Sequence, residues 1–149
     1  MDQLSALLKL WACLRASHHV YWTLHWQAKG QPFYGDHLLF ERLYSARIEE
    51  IDGLAEIIAG HFGADKLEPV KAWTDALEVI NAMMSSSTPI GIAQMVLDAV
   101  EVANAAWAQG KYPASTQNFI AGVGINHLTA LYLLKQRYGA LAAKQAPVA

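Results

Sequence analysis

Apolar side chains recur at steps of three and four through nearly the whole of this chain, and glycine or proline breaks that rhythm in only a few places. Side chains about 100° apart at such steps share one face of a helix, so the chain is constrained to pack helices against each other. The first run is Leu4, Leu7, Leu8, Trp11, Leu14, His18, Tyr21, Trp22 and His25. It stops at Ala28-Lys29-Gly30-Gln31-Pro32, where Gly30 supplies a left-handed cap and Pro32 prevents continuation. A second helix is predicted after Gly35-Asp36, with Asp36 as N-cap, through Leu39, Leu43, Ile48, Ile51, Leu54 and Ile58 to Gly60 or Gly63. Gly53 is its one weak point, at about 1 kcal/mol against alanine.

Residues 64 to 88 break the pattern. Pro69, the stretch from Trp73 to Met84 and then Ser85-Ser86-Ser87-Thr88 read as a crossover holding one short helix. Thr88 caps a third long helix with Pro89 in its first turn, and its face is Ile92, Met95, Val96, Ala99, Val100, Ala103 and Trp107. Gly110 to Pro113 turns the chain. A fourth helix from Ala114 or Ser115 to Tyr138 and Gly139 carries Phe119, Ile120, Val123, His127, Ala130, Leu131 and Leu134. Four long helices with a long connection between the second and third predict an all-α, ferritin-like four-helix bundle in one domain, residues 1–149.

The composition points away from a lone monomer. Hydrophobic residues make up 54% and charged residues 16%, with five Trp, six Tyr and four Phe, more apolar area than a small bundle hides in its own centre. Large interfaces in a homo-oligomer are therefore expected. The 11 Lys and Arg are scattered singly at a net charge of −2, which offers the nucleic-acid backbone no electrostatic footprint. A single cysteine, Cys13, fits a reducing compartment such as the cytoplasm. The start Met1-Asp2-Gln3 lacks the basic region of a secretory signal, and no apolar run reaches the ~18 residues that cross a bilayer.

Residues able to bind metal concentrate in the first two helices: His25, His37, Glu41, Asp52 and Glu56. On the second helix, positions 41, 52 and 56 fall roughly 40°, 60° and 100° round from His37, so the four face one way. His37/Glu41 and Asp52/Glu56 each form an i,i+4 pair able to reach a common point. His37 and Asp52 are nonetheless about 22 Å apart along a straight helix, while metal bonds to nitrogen or oxygen are ~2.0–2.2 Å. One chain thus presents two half-sites. An antiparallel copy of the helix would unite them, with a two-fold axis near Ala46, where Ser45 and Ala46 are small enough for close approach. His25 completes the histidine half. Imidazole and carboxylate donors with open positions suit ferrous iron, and zinc or manganese fit the same set. The Glu-x-x-His pairs of sites built inside a single bundle do not occur, which favours the shared arrangement.

The stretch His25-Trp26-Gln27-Ala28-Lys29-Gly30-Gln31-Pro32-Phe33-Tyr34-Gly35-Asp36-His37 resembles the signature of the Dps family, the DNA-protecting mini-ferritins. In that family a His-Trp-Asn-x-x-Gly run precedes a Phe and a second His, followed by an Asp and a Glu at the spacing of Asp52 and Glu56, with an additional acid at the position of Glu41. The resemblance implies a hollow dodecamer that oxidises Fe(II), usually with hydrogen peroxide, and stores the ferric product. It places His25, His37, Asp52 and Glu56 on a first iron as the ferroxidase residues and Glu41 on a second. It sets Trp26 beside the site, to intercept an oxidising equivalent or simply to pack.

Three features depart from that family. Gln27 replaces the signature's Asn. No Lys-rich arm precedes the first helix, and the tail offers only Lys144, so DNA is not an expected partner. The segment Gln109 to Asn118, where the family's acidic pores lie, holds no acid. The alternative functions are a scaffold oligomer of the same fold with little or no ferroxidase activity and, third, a DNA-binding protector. His18 and His127 are expected in packing, Cys13 as a small buried hydrophobe, and His19 and His61 carry no assigned role.

Overall fold

The computed structural model describes residues 1–85, 88–108 and 113–144, with side chains to Gly139. Among the described residues there are five α-helices and no strand: α1 (Gln3–Gln27), α2 (Phe33–Phe62), α3 (Pro69–Ser85), α4 (Pro89–Ala108) and α5 (Ala114–Lys144). A 3-10 turn, Ala64–Lys66, follows α2. The expected turn at 110–112, the serines 86 and 87, and the tail beyond 144 lie outside the described residues.

Local chemistry sets most of the ends. Asp2 caps α1, accepting the Ser5 backbone N–H at 2.9 Å. Thr88 caps α4 through the Gly91 N–H at 3.1 Å, with Pro89 at the first helical position as expected. Gly30 (φ +77°) and Gly63 (φ +101°) take the backbone conformations that end α1 and α2.

Three boundaries differ from expectation. Pro32 precedes α2 as its N-cap, so the helix starts at Phe33, and Asp36 lies inside its first turn. The Asp36 carboxylate accepts two hydrogen bonds from Arg137, at 2.6 and 3.0 Å, instead of capping. α3 fills the crossover with 17 residues, since Pro69 starts it. α5 runs through Gly139 to Lys144.

Long-range contacts give the helix directions. Along the α1–α2 seam, ring N–H groups of α1 donate to α2 carbonyls three times, each step one heptad long. Trp11 reaches Ile51 at 3.0 Å, His18 reaches Tyr44 at 2.9 Å and His25 reaches His37 at 2.9 Å, so the two helices run antiparallel in fixed register. His61 near the end of α2 meets Thr116 at the start of α5, and Asp36 meets Arg137 at opposite ends. The start of α4 shares a cleft with Val20 and Leu24 near the end of α1. α2 and α4 therefore run one way, α1 and α5 the other, and the crossover carries the chain back along the bundle.

The core joins Leu7, Leu10, Leu14, Leu54, Ile58, Val96, Ile120 and Leu134, all fully buried, each worth roughly 1.5–3 kcal/mol of burial. Gly53, costly in helix propensity, has a packing reason. A Cβ there would come within 2.7 Å of the Phe119 ring, so its absence lets α5 lean on α2. α3 is held to α1 by the Arg15 guanidinium, 4.7 Å from the Trp11 ring and 4.6 Å from that of Trp73. No helix among the described residues is long and apolar enough to cross a membrane.

Candidate metal centre

The short link between α1 and α2 brings His25, in the last turn of α1, against His37, near the start of α2. Their imidazoles stack with centroids 3.7 Å apart and planes 26° from parallel. His25 Nδ1–H donates to the His37 carbonyl at 2.9 Å, and His37 Nδ1–H donates to the His25 carbonyl at 3.1 Å. This reciprocal clamp fixes both tautomers with the proton on Nδ1. Each Nε2 keeps its lone pair and meets no hydrogen-bonding partner among the described residues. A backbone carbonyl on the far nitrogen is the support that metal-ligating histidines use to hold orientation and basicity. Tyr44 packs edge-on to His25, at 5.4 Å, and Phe33 tilts over His37, at 5.1 Å.

The carboxylates lie on the same outward side of α2. Glu41, Asp52 and Glu56 are all exposed, and none makes an ion pair or hydrogen bond with a described residue. Asp52 stands fifteen residues beyond His37, about 22 Å along the helix. Among the described residues of one chain, no three His, Cys, Asp or Glu side chains gather closely enough to hold an ion. His25 and His37 are brought together, whereas Asp52 and Glu56 stand apart from them. Ala46 is rotated away from this face and lines a groove toward α5. At its level the outward residues are Ser45 and Ile48, the latter 57% exposed.

Trp26 is 62% exposed and packs on Trp22 at 4.7 Å. Trp22 lies 6.0 Å from Tyr44, the ring beside His25. Trp26 is thus joined to the histidine pair through two aromatic rings and has no ring contact of its own with either imidazole.

The other histidines separate by surroundings. His18 is tied to the Tyr44 carbonyl, His61 is hydrogen-bonded to Thr116 Oγ1 at 3.0 Å, and His19 is exposed. His127 is fully buried in a polar cluster that the sequence reading missed. Arg47 Nη1 donates to His127 Nε2, and Glu50 Oε2 lies 3.3 Å from that guanidinium and 3.2 Å from the same imidazole nitrogen. Asn126 donates to Glu50 Oε1 at 2.9 Å. Arg47 and Glu50 are 2% and 5% exposed, so they place a charge pair inside the bundle. Their positions fall in the core phase of α2, with Leu43 and Leu54, and that clash of pattern and chemistry was the available signal.

Burial pushes the Glu50 carboxyl up, but the Arg47 charge and the Asn126 hydrogen bond, beside His127, more than offset it, leaving it below the usual carboxylate range. Burial and then Arg47 hold His127 below its ordinary value, against the opposing pull of Glu50. Arg47 Nε, His127 Nδ1 and Tyr21 Oη are buried without a hydrogen-bond partner. Cys13 is buried and its thiol is pushed up to about 11 by desolvation, which keeps it protonated and unreactive.

Compared with models of protein families, with curated proteins and with solved structures, the chain matches none of them.

Proposed function

We propose that this chain is a ferritin-like, Dps-like subunit that binds Fe(II) at sites shared between two copies and oxidises it, with hydrogen peroxide as the oxidant. One observation carries the reading. Two imidazoles are clamped face to face with both Nε2 lone pairs free, at the start of the helix that carries Asp52 and Glu56, unpaired and out of their reach. Asp52 and Glu56, one turn apart, repel each other without a cation, and a histidine pair lacks the carboxylate donors of a mixed ferrous site. An antiparallel partner supplies to each half what it lacks.

In this arrangement His25 and His37 bind iron through Nε2, with Asp52 and Glu56 of the partner subunit, and Glu41 assists a second ion. The up, down, down, up order of α1, α2, α4 and α5 supports the ferritin-like arrangement. Each peroxide takes one electron from each of two Fe(II), its O–O bond breaks, and both oxygens leave at the oxidation level of water. Hydrolysis of the ferric ions releases protons. The chain's part is to hold the ions, exclude stray ligands and keep the reaction off free solution. Zinc and manganese compete for the same donors, and the lone Cys13 suits a reducing cytoplasm. A shell of twelve subunits extends the same pairing.

Anaerobic Fe(II) titration tests the reading. Saturation is expected at about one or two ions per subunit, as the two-ion donor set requires, with rapid ferric colour once peroxide is added. His37→Ala with Asp52→Ala removes that uptake. Native protein that takes up no iron and develops no colour refutes the proposal.

A further inference from the structure

α2 carries a second periodicity that its own bundle leaves unused. Leu38, Glu41, Ser45, Ile48, Asp52 and Ala55 alternate at steps of three and four, the a/d spacing of a coiled-coil seam. None of the six is buried, and Leu38 and Ile48 are 43% and 57% exposed. The bundle's own stripe, Phe40, Leu43, Arg47, Leu54 and Ile58, lies on another side of the helix. Arg42 and Glu49 each follow the second residue of a seam pair and stand seven residues apart, on one flank. Both are exposed, and neither joins an ion pair among the described residues.

We infer that this face docks a second, antiparallel copy of α2, set in register by two reciprocal Arg42–Glu49 ion pairs between subunits. The inference deepens the two-subunit reading above and rests on it. With Ser45 opposite the partner's Ile48, the layers also match Leu38 with the partner's Ala55, a large side chain over a small one each time. The same register brings Arg42 within about two residues of the level of the partner's Glu49, roughly 3 Å of rise, well inside the reach of both side chains. Charges at such flanking positions choose partner and orientation. A parallel pairing would put these positions of the two helices on opposite flanks of the seam and form neither Arg42–Glu49 pair, so the charges favour the antiparallel orientation. The antiparallel register still opposes Glu41 to the partner's Asp52, twice. A divalent cation between them removes that repulsion, so ion binding and pairing strengthen each other.

The test is the dissociation constant of the pair, measured by sedimentation in Mn(II), which stays divalent in air, and again in chelator. Arg42→Glu and Glu49→Arg are each expected to weaken pairing about tenfold or more, since each creates two like-charge contacts. The double variant R42E/E49R is expected to return to within about threefold of the native value, because the pairs are re-formed with signs exchanged. Ile48→Asp, exposed in the single chain and so compatible with folding, is expected to abolish pairing. Single reversals that leave the constant unchanged, or a double variant that does not recover, overturn the inference. Native protein that stays monomeric in Mn(II) overturns it together with the shared-site reading. A native pair that fails to oxidise Fe(II) removes the proposed function and leaves this interface standing.

Discussion

His25 and His37 each give their Nδ1 proton to the other's backbone carbonyl, so one pair of hydrogen bonds both joins α1 to α2 and leaves two Nε2 lone pairs without a partner among the described residues. The same side chains therefore hold the fold and offer the chemistry, and the two roles can be separated by substitution.

Asparagine places an amide N–H near the position of imidazole Nδ1 and has nothing at Nε2. His37→Asn is expected to keep the clamp, with a melting temperature within a few degrees of native, and to weaken Fe(II) binding by at least about tenfold, as loss of a ligand does. His37→Ala loses both, with an additional cost of about 1 kcal/mol for the hydrogen bond. Thermal unfolding and anaerobic titration of the two variants side by side check this. Unweakened iron binding in His37→Asn removes His37 from the site.

The buried cluster around His127 makes stability sensitive to acid. Its folded pKa lies below the ordinary 6.5, so the unfolded chain binds the proton more readily, and stability falls as pH drops from about 6.5 through the folded value. Protonation also puts a second positive charge against Arg47 and takes away the lone pair that accepts from it. Glu50, held below 4.5, adds a further loss at lower pH. Asn126 and Tyr21 face the same cluster and stay neutral through this window. Melting curves from pH 8 to 5 are expected to slope downward below about 6.5, and His127→Gln is expected to flatten that slope. A native curve flat to pH 5 contradicts the assignment.

Asp36 and Arg137 fasten the start of α2 to the end of α5 by two hydrogen bonds. The Arg137 side chain is 34% exposed, so solvent screens part of the attraction, and Asp36→Asn is expected to cost about 1–2 kcal/mol. Tyr138 reports on the same contact. Burial, and then the Asp36 charge, push its phenol up to about 12. In Asp36→Asn the ultraviolet titration of Tyr138 is expected to move down yet stay above the ordinary value of 10.

Helix existence, the cap at Thr88 and the end of α2 at one of two candidate glycines, Gly60 or Gly63, were legible because their chemistry is local. Asp36 misled because a carboxylate near a helix start looks like a cap, and only Arg137, 101 residues away, shows what it holds. The spacing of His25 and His37 was readable, but their mutual clamp depends on the heptad register of α1 on α2, which no single helix contains. Arg47 and Glu50 looked misplaced in a core stripe until His127, 80 and 77 residues distant, came to meet them. Gly53 read as a defect because its reason is the ring of Phe119. What escaped the sequence in each case was a partner contributed by another helix.

Mixing two inactive variants tests the shared site most directly. In a two-fold pair each site takes its histidine half from one subunit and its acid half from the other. His37→Asn therefore damages both sites of its own pair, as does Asp52→Asn of its own. When the two variants exchange subunits, the mixed pair contains one site with both defects and one with none. Random exchange of equal amounts makes half the pairs mixed, so on the order of one quarter of all sites regain the full donor set. Fe(II) oxidation is expected to rise from near zero toward one quarter of native, at the rate of subunit exchange. A site complete within one chain gives no recovery on any timescale, because both variants then carry their damage wherever they go.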